Sequence, residues 1–244
     1  KKLDGPVEYT PRANYVIEMS GHEASRMNEP TIGTEHILMG LTLVQDSVAM
    51  IGGTKFRAQG TTLITHNGVS GPCILRLSSY AARYLAEHGY TAPLVMNWLG
   101  DTTEEESLQM LKDMAKENAQ KMVVNTHPEQ LTSRHWEHLV QRAGIGKEVR
   151  WNGMGQKQMN RLASVLTSDT YKIVGRVPHK EEFVTAGGVS LNSVSSTTLE
   201  CKTRPGLYFA GEVLDVDGVT GGFNLQAAWT MADAVARAVA EKYQ

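Results

Sequence analysis

The apolar positions change their period several times along the chain. Residues 10–28, TPRANYVIEMSGHEASRMN, put Ala13, Val16, Ile17, Ala24 and Met27 near one face, which predicts a helix. Thr10 is a natural N-cap, and Pro11 sits where its missing N–H is harmless. Asn28 and Pro30 end the run. A shorter helix is expected in GTEHILMGL, capped by Thr34 with Ile37, Leu38 and Leu41 inward. Near Gly52 the character changes. DSVAMI fits either a turn or a strand, and TKFRAQGTTLITHNGVSGP predicts two strands and a tight turn. SGPCILRLSSYAARYLAEHG predicts a helix over 72–88, with Ser70 as cap, Pro72 in the first turn and Gly89 just past the end. APLVMNWL reads as a strand. Residues 103–170 read as mainly helical, with acidic residues crowding the first helix start as the helix dipole prefers. Short strands return near 183–189 and 206–211, and a closing helix spans 225–241.

Composition narrows this picture. Of 244 residues, 41% are hydrophobic and 20% charged, enough for a packed core in one large or two small domains. The net charge of -2, with no basic run, gives nucleic-acid binding little electrostatic support. Cys73 and Cys201 are far apart and in no CxxC pairing, which argues against a disulfide scaffold or a zinc site and suits a reducing cytoplasm. The apolar runs are short of a membrane span, and KKLDGPVEYTPR lacks the apolar core of a signal peptide. The expectation is a cytoplasmic protein without nucleic-acid or membrane partners.

The chemistry concentrates near the C-terminus. GEVLDVDGVTGGFNLQ, residues 211–226, lies between an apolar run and the closing helix. Gly211, Gly218, Gly221 and Gly222 let backbone N–H groups approach a ligand, and the helix points its positive end back at them. Glu212 and Asp217 would repel a bare phosphate but can accept hydrogen bonds from hydroxyls, so the turn suits a polyol chain better than a pyrophosphate. A plain strand-to-helix loop is the competing reading. VTAGGVSL, residues 184–191, is a second glycine turn, otherwise a hairpin. Other candidates are weaker. GVSGP does not fit the G-x-S-x-G elbow, so Ser70 reads as a helix cap. GHEASRM has Arg26 where H-E-x-x-H needs its second histidine. His135 and His138 share a helix without a third ligand, His66 reads as structural, and no residue stands out as a general base.

THNGVSGPCILRLS, VTAGGVSL and TTLECKTRPGLYFAGEVLDVDGVTGGFNLQAAW, in this order with a helical segment between, resemble the prokaryotic NAD(P)/FAD-dependent oxidoreductases that include the aminoacetone oxidases. The resemblance runs from about Gly52 to the end, the C-terminal two-thirds of that family. It implies an FAD cofactor, with Gly187, Gly188 and Val189 near the flavin. Gly211 and Glu212 would lie by the ribityl chain, with Asp217 and Gly218 in the same turn. Gly221, Gly222, Phe223, Asn224, Leu225 and Gln226 would lie by the pyrimidine edge of the ring. The family's Rossmann unit with G-x-G-x-x-G has no counterpart here, since GIGKEV and GMGQKQ lack the third glycine. Residues 8–41, with GTEHIL, resemble one repeat of the Clp ATPase amino-terminal domain, without a Walker A sequence.

The expected fold is α/β (α+β), with four parts. Residues 1–50 form a helical Clp-N-like segment, 51–102 and 171–210 a β-rich flavoprotein domain, 103–170 a helical insertion, and 211–244 the C-terminal part of an FAD-binding fold. The expected function is a fragment or chimera of an FAD-dependent oxidoreductase that binds FAD weakly alone. Its partner would be a Rossmann-containing polypeptide. The alternative is a Clp-type module that docks a protein adaptor through residues 8–41.

Overall fold

The computed structural model describes residues 43–65, 68–176 and 184–243. The helices expected at 10–28 and in GTEHILMGL, the Clp-like segment 8–41, and His66 lie outside these residues. The described chain is mixed α/β, with five strands, β1 (Leu43–Ile51), β2 (Arg57–Thr65), β3 (Gly68–Ser70), β4 (Ala92–Asn97) and β5 (Asp169–Ile173), in one sheet of order β3-β2-β1-β4-β5. β1 pairs antiparallel with both β2 and β4, and β2 with β3. DSVAMI is thus a strand at the centre of the sheet. Val48 and Ala49 are adjacent and both buried, so both faces of β1 are covered there. The β1–β2 register shifts between Val44 and Ser47. The buried Ser47 hydroxyl at this bulge bonds the Thr62 hydroxyl at 2.7 Å and the Gly60 carbonyl at 2.9 Å, so neither polar side chain is left unpaired.

After β3 the chain turns at Gly71 into α1 (Pro72–Tyr80) and α2 (Ala82–Glu87). Ser70 pairs with Leu63 in β3 and is not the helix cap the sequence suggested. The turn needs glycine, because a Cβ at Gly71 would stand 2.9 Å from the Leu63 nitrogen and 3.0 Å from the Thr61 oxygen, at φ +91°. The single helix expected over 72–88 is two, interrupted at Ala81, and Gly89, with φ +59°, follows the end of α2 at the expected position.

The helical insertion holds α3 (Glu104–Glu117), α4 (Ser133–Arg142) and α5 (Gln156–Ser168). Thr103 and Glu106 form a reciprocal capping box on α3, and the Thr132 hydroxyl accepts from the His135 N–H at the start of α4. α3 packs on α5, and α4 on α5 and on the short turn Val123–Asn125. Leu111, Trp136, Leu139, Val140, Leu162 and Leu166 are fully buried, and each leucine contributes about 1.5–3 kcal/mol by leaving water. The Trp136 indole N–H donates to the Val123 carbonyl at 2.8 Å, so this buried tryptophan has its polar atom paired.

The chain divides into two compact units. Of the described residues, one comprises those up to Gly52 with those of Arg57–Ile74 and Leu94–Tyr171, the other those of Gly53–Phe56, Leu75–Pro93 and Lys172–Gln244. The second contains α6 (Phe223–Tyr243). The strands expected at 183–189 and 206–211 are not strands in the described residues. Val189 and Tyr208 make only isolated bridges, to Leu214 and Glu200, and an apolar run becomes a strand only where a neighbour pairs along it. The Glu200 carboxylate accepts from Lys242 at 2.5 Å and from the Gly206 N–H at 2.6 Å, tying the end of α6 to this loop.

Candidate cofactor-binding site

The second unit brings the two glycine turns side by side. The Val189 N–H donates to the Val213 carbonyl at 2.8 Å, and the Asp215 N–H donates to the Val189 carbonyl at 2.9 Å, forming a one-residue parallel bridge. Gly188 is glycine for this packing: a Cβ there would stand 2.7 Å from the Val213 oxygen and the Leu214 carbon. Gly187 has φ +113° and open space around its would-be Cβ. Residues Gly211–Val213 form one 3-10 turn in which the Gly211 carbonyl accepts from the Leu214 N–H at 3.1 Å. Glu212 is exposed.

Asn224 links the loop to the helix. Its side-chain oxygen accepts from the Gly218 N–H at 2.6 Å, and its side-chain nitrogen donates to the Gly218 carbonyl at 3.1 Å. Both ends of the amide are thereby engaged, which makes Asn224 a clasp that fixes Gly218 against the first turn of α6. Gly221 and Gly222 have φ +135° and +91°; a Cβ at Gly222 would meet nothing within 4 Å, and one at Gly221 only the Phe223 ring at 3.8 Å. Open backbone therefore leads into the first turn of a 21-residue helix, whose initial N–H groups have no partner within the helix. Phe223 and Leu225 are exposed, and Gln226 makes a 3.4 Å bond to Thr230 one turn on. The structure thus gathers Gly187, Gly188 and Val189 with the 211–226 segment. It gives Gly188 and Asn224 duties internal to the fold.

α6 buries none of its residues. Leu225 is 70% and Trp229 76% exposed, and Ala232, Ala236 and Ala240 continue the same exposed stripe. A helix apolar on this face as well as on its half-buried one is patterned to be covered on both.

Sequence reading missed the ion pair between Arg83 of α2 and Asp215, in which the Arg83 Nη2 lies 2.6 Å from both carboxylate oxygens. This bond, more than Coulomb attraction, raises the guanidinium pKa. Nothing local marks partners 132 positions apart. The Ser79 hydroxyl donates to Asp217 at 3.4 Å.

The first unit has its own polar cluster. Asp169, almost fully buried, accepts from the Trp98 indole at 3.1 Å, the Tyr171 hydroxyl at 2.6 Å and Arg142 Nε at 2.5 Å. Burial, then the bond to Asp169, raises the Tyr171 pKa. His135 packs edge-on to Trp98 at 4.5 Å, with neither ring nitrogen hydrogen-bonded. Burial, helped by the charge of His138, pushes its pKa down to about 4. His138 is exposed, so the two histidines of α4 do not converge, and no group of three metal-ligating side chains occurs among the described residues. No described helix is long and apolar enough to cross a membrane.

A small antiparallel sheet interrupted by a capped helical insertion defines a barrel-and-helix protein. Residues 28–184 match the barrel and H2TH domain of the HI0933-like proteins, and the chain belongs to that family, which is related to FAD-dependent oxidoreductases. The match begins at residue 28, upstream of the Gly52 boundary suggested by the motifs. The chain is 31% identical over 214 residues to the ribosomal RNA dihydrouridine synthase of Escherichia coli (strain K12), covering 86% of this chain and 49% of that protein. It is 29% identical over 208 residues to the 3-dehydro-bile acid delta(4,6)-reductase of Clostridium scindens, covering 80% and 48%. The chain thus spans about half the length of these relatives. A 62-residue stretch, 22% of the chain, is 44% identical to the ATP-dependent Clp protease ATP-binding subunit ClpC of Staphylococcus epidermidis and covers 8% of it.

Proposed function

We propose that this chain is the barrel, helical and C-terminal portion of an FAD-dependent oxidoreductase. The observation that carries the reading is the junction of 187–189 with 211–226, where glycine backbone with positive φ opens onto the first turn of a long helix. Family membership and the reductase among the relatives support it. The residues fit one part of the cofactor. Gly187, Gly221 and Gly222 leave room for a planar ring and its polyol chain, while Gly211 packs toward Ala228 and gives its N–H to the Met231 sulfur, and Glu212 can accept from polyol hydroxyls. Glu212 and Asp217 in the same turn disfavour a bare phosphate. Bound flavin would supply the redox chemistry, and this chain would orient it and set the polarity around the ring.

A Rossmann-containing polypeptide is the partner we assign to the pyrophosphate half. The exposed apolar stripe of α6 and the doubled length of the relatives support a covering layer. Without it, even three missing charge-assisted hydrogen bonds, at roughly 1.5–3 kcal/mol each, cost orders of magnitude in affinity. FAD titration followed by visible absorbance and flavin fluorescence tests this. Weak or absent uptake by the chain alone is expected, and uptake with the partner. Stoichiometric flavin in the purified chain would overturn the divided-site reading, and no uptake under either condition would overturn the flavin reading.

The similarity to ClpC favours a second reading, a protein-binding helical module in residues 8–41. Deleting this segment should then abolish adaptor capture without changing flavin uptake.

A further inference from the structure

Within the second unit, α1, α2 and the loop after Asp215 border a cavity of about 460 Å³ whose lining includes Phe56, Tyr80, Arg83, Tyr84, Asp215 and Asp217. The cavity is aromatic and acidic at once. Tyr84 is held in place, its ring stacked on His88 at 4.0 Å and tilted against Phe56 at 5.8 Å. Among the described lining residues two carboxylates face one guanidinium, so one negative charge is left over. The bond of Arg83 Nη2 to both oxygens of Asp215 decides where that charge sits: it is on Asp217, whose partner is the Ser79 hydroxyl at 3.4 Å. A 3.4 Å contact from a neutral hydroxyl is weak for a carboxylate, which can accept several short bonds.

We propose that this cavity is a binding subsite for an organic cation, a protonated or quaternary amine, with Asp217 matching the charge and the Phe56, Tyr80 and Tyr84 rings packing around it. Aromatic faces carry negative potential and favour such a cation, and the leftover carboxylate adds to the attraction. The same charge turns away phosphates and carboxylates. Asp217 then serves the ligand's charged end and not the cofactor, to which the sequence resemblance gave it. That the ligand is the redox substrate rests on the flavin reading above; its binding does not.

Choline and its uncharged isostere 3,3-dimethylbutan-1-ol separate charge from shape. Titrated calorimetrically into the full chain at low salt, choline should bind at least about tenfold more tightly, the factor that ~1.4 kcal/mol represents. Asp217→Asn should bring the two ligands to within about twofold, and Tyr84→Leu should weaken choline while leaving circular dichroism unchanged. Equal binding of both compounds, binding of neither, or an undiminished preference in Asp217→Asn overturns the subsite. So does Asp217→Asn losing flavin uptake while keeping its choline preference, which returns the carboxylate to the cofactor. A choline preference in a chain that takes up no flavin under any condition upholds the subsite and overturns only the redox reading.

Discussion

α4 and α6 are both well-formed helices, yet they stand at opposite ends of a scale. Ten residues of α4 bury Trp136, Leu139 and Val140 completely, while the 21 residues of α6 bury none. Apolar content does not separate them. In α4 the apolar residues occupy one stripe, with Arg134, His138 and Gln141 turned to water, so a single packing partner satisfies it. In α6 apolar residues lie on both faces, and only one is half-covered here. Burial is therefore a property of what lies opposite a helix, and an apolar pattern only states the demand.

The sharpest way to test this contrast is to truncate matched tryptophans. Trp136→Ala should destabilise the chain by about 3–5 kcal/mol in urea unfolding, since it leaves a cavity and removes one of the two donors to the Val123 carbonyl, leaving only the Thr126 N–H at 3.3 Å. A loss under about 1 kcal/mol would mean the insertion is far softer than its packing implies.

Asp169→Asn comes next. It weakens acceptance from Arg142, Tyr171 and Trp98 together, and an expected loss of about 1.5–3 kcal/mol follows from hydrogen bonds to a charged group. Unchanged stability would show that the cluster is ornamental to the insertion.

Protonation probes the same region. The His135 pKa, about 4 in the folded chain against an ordinary 6.5, means the unfolded chain binds this proton more readily. Stability from His135 is fully present above pH 6.5 and falls as pH drops toward 4, by at most about 1.4 kcal/mol per pH unit. His135→Phe should flatten that window in acid titrations of the unfolding midpoint. A parent already flat between those pH values would contradict a buried neutral ring.

At the other end of the comparison the effects are smaller. Gly222→Ala meets open space but a φ of +91°, and should weaken flavin uptake by about 1 kcal/mol with helix content unchanged. Glu212→Gln should weaken it less, because an amide oxygen still accepts. If Gly222→Ala binds as the parent does, the glycine turn is only a turn. Trp229→Ala should shift stability of the chain by no more than about 0.5 kcal/mol, as expected for an exposed side chain. It should nevertheless impair association with the Rossmann-containing partner proposed above. A large stability loss would mean that α6 is already covered.

What could be read from the sequence was local. Gly89 and the acidic run at the start of the 103–170 segment announce a helix end and a helix start because their chemistry acts within a turn, and a helix ends and another begins there. The glycine turns were legible for the same reason. The run GLYFA misled, because its apolar character states that it wants a partner, not that one pairs along it; Tyr208 finds only Glu200. Ser70 misled because a serine before Pro72 looks like a cap until Gly71 turns the chain and leaves Ser70 in β3. Asp169, a hub for three side chains, and the Arg83–Asp215 pair were invisible, since they join residues far apart along the chain through contacts that follow no period.

The turn at Gly71 also guards the molecule against itself. An open sheet exposes unpaired N–H and C=O groups on its outermost strands, and a foreign strand can dock there and seed aggregation. Among the described strands, the one at one end is β3, three residues long, because Gly71 diverts the chain into a helix at once. β3 itself offers a docking strand a ladder of only three residues. A glycine required for close backbone packing thereby keeps this strand short, and a bulkier residue at position 71 would endanger solubility as well as fold.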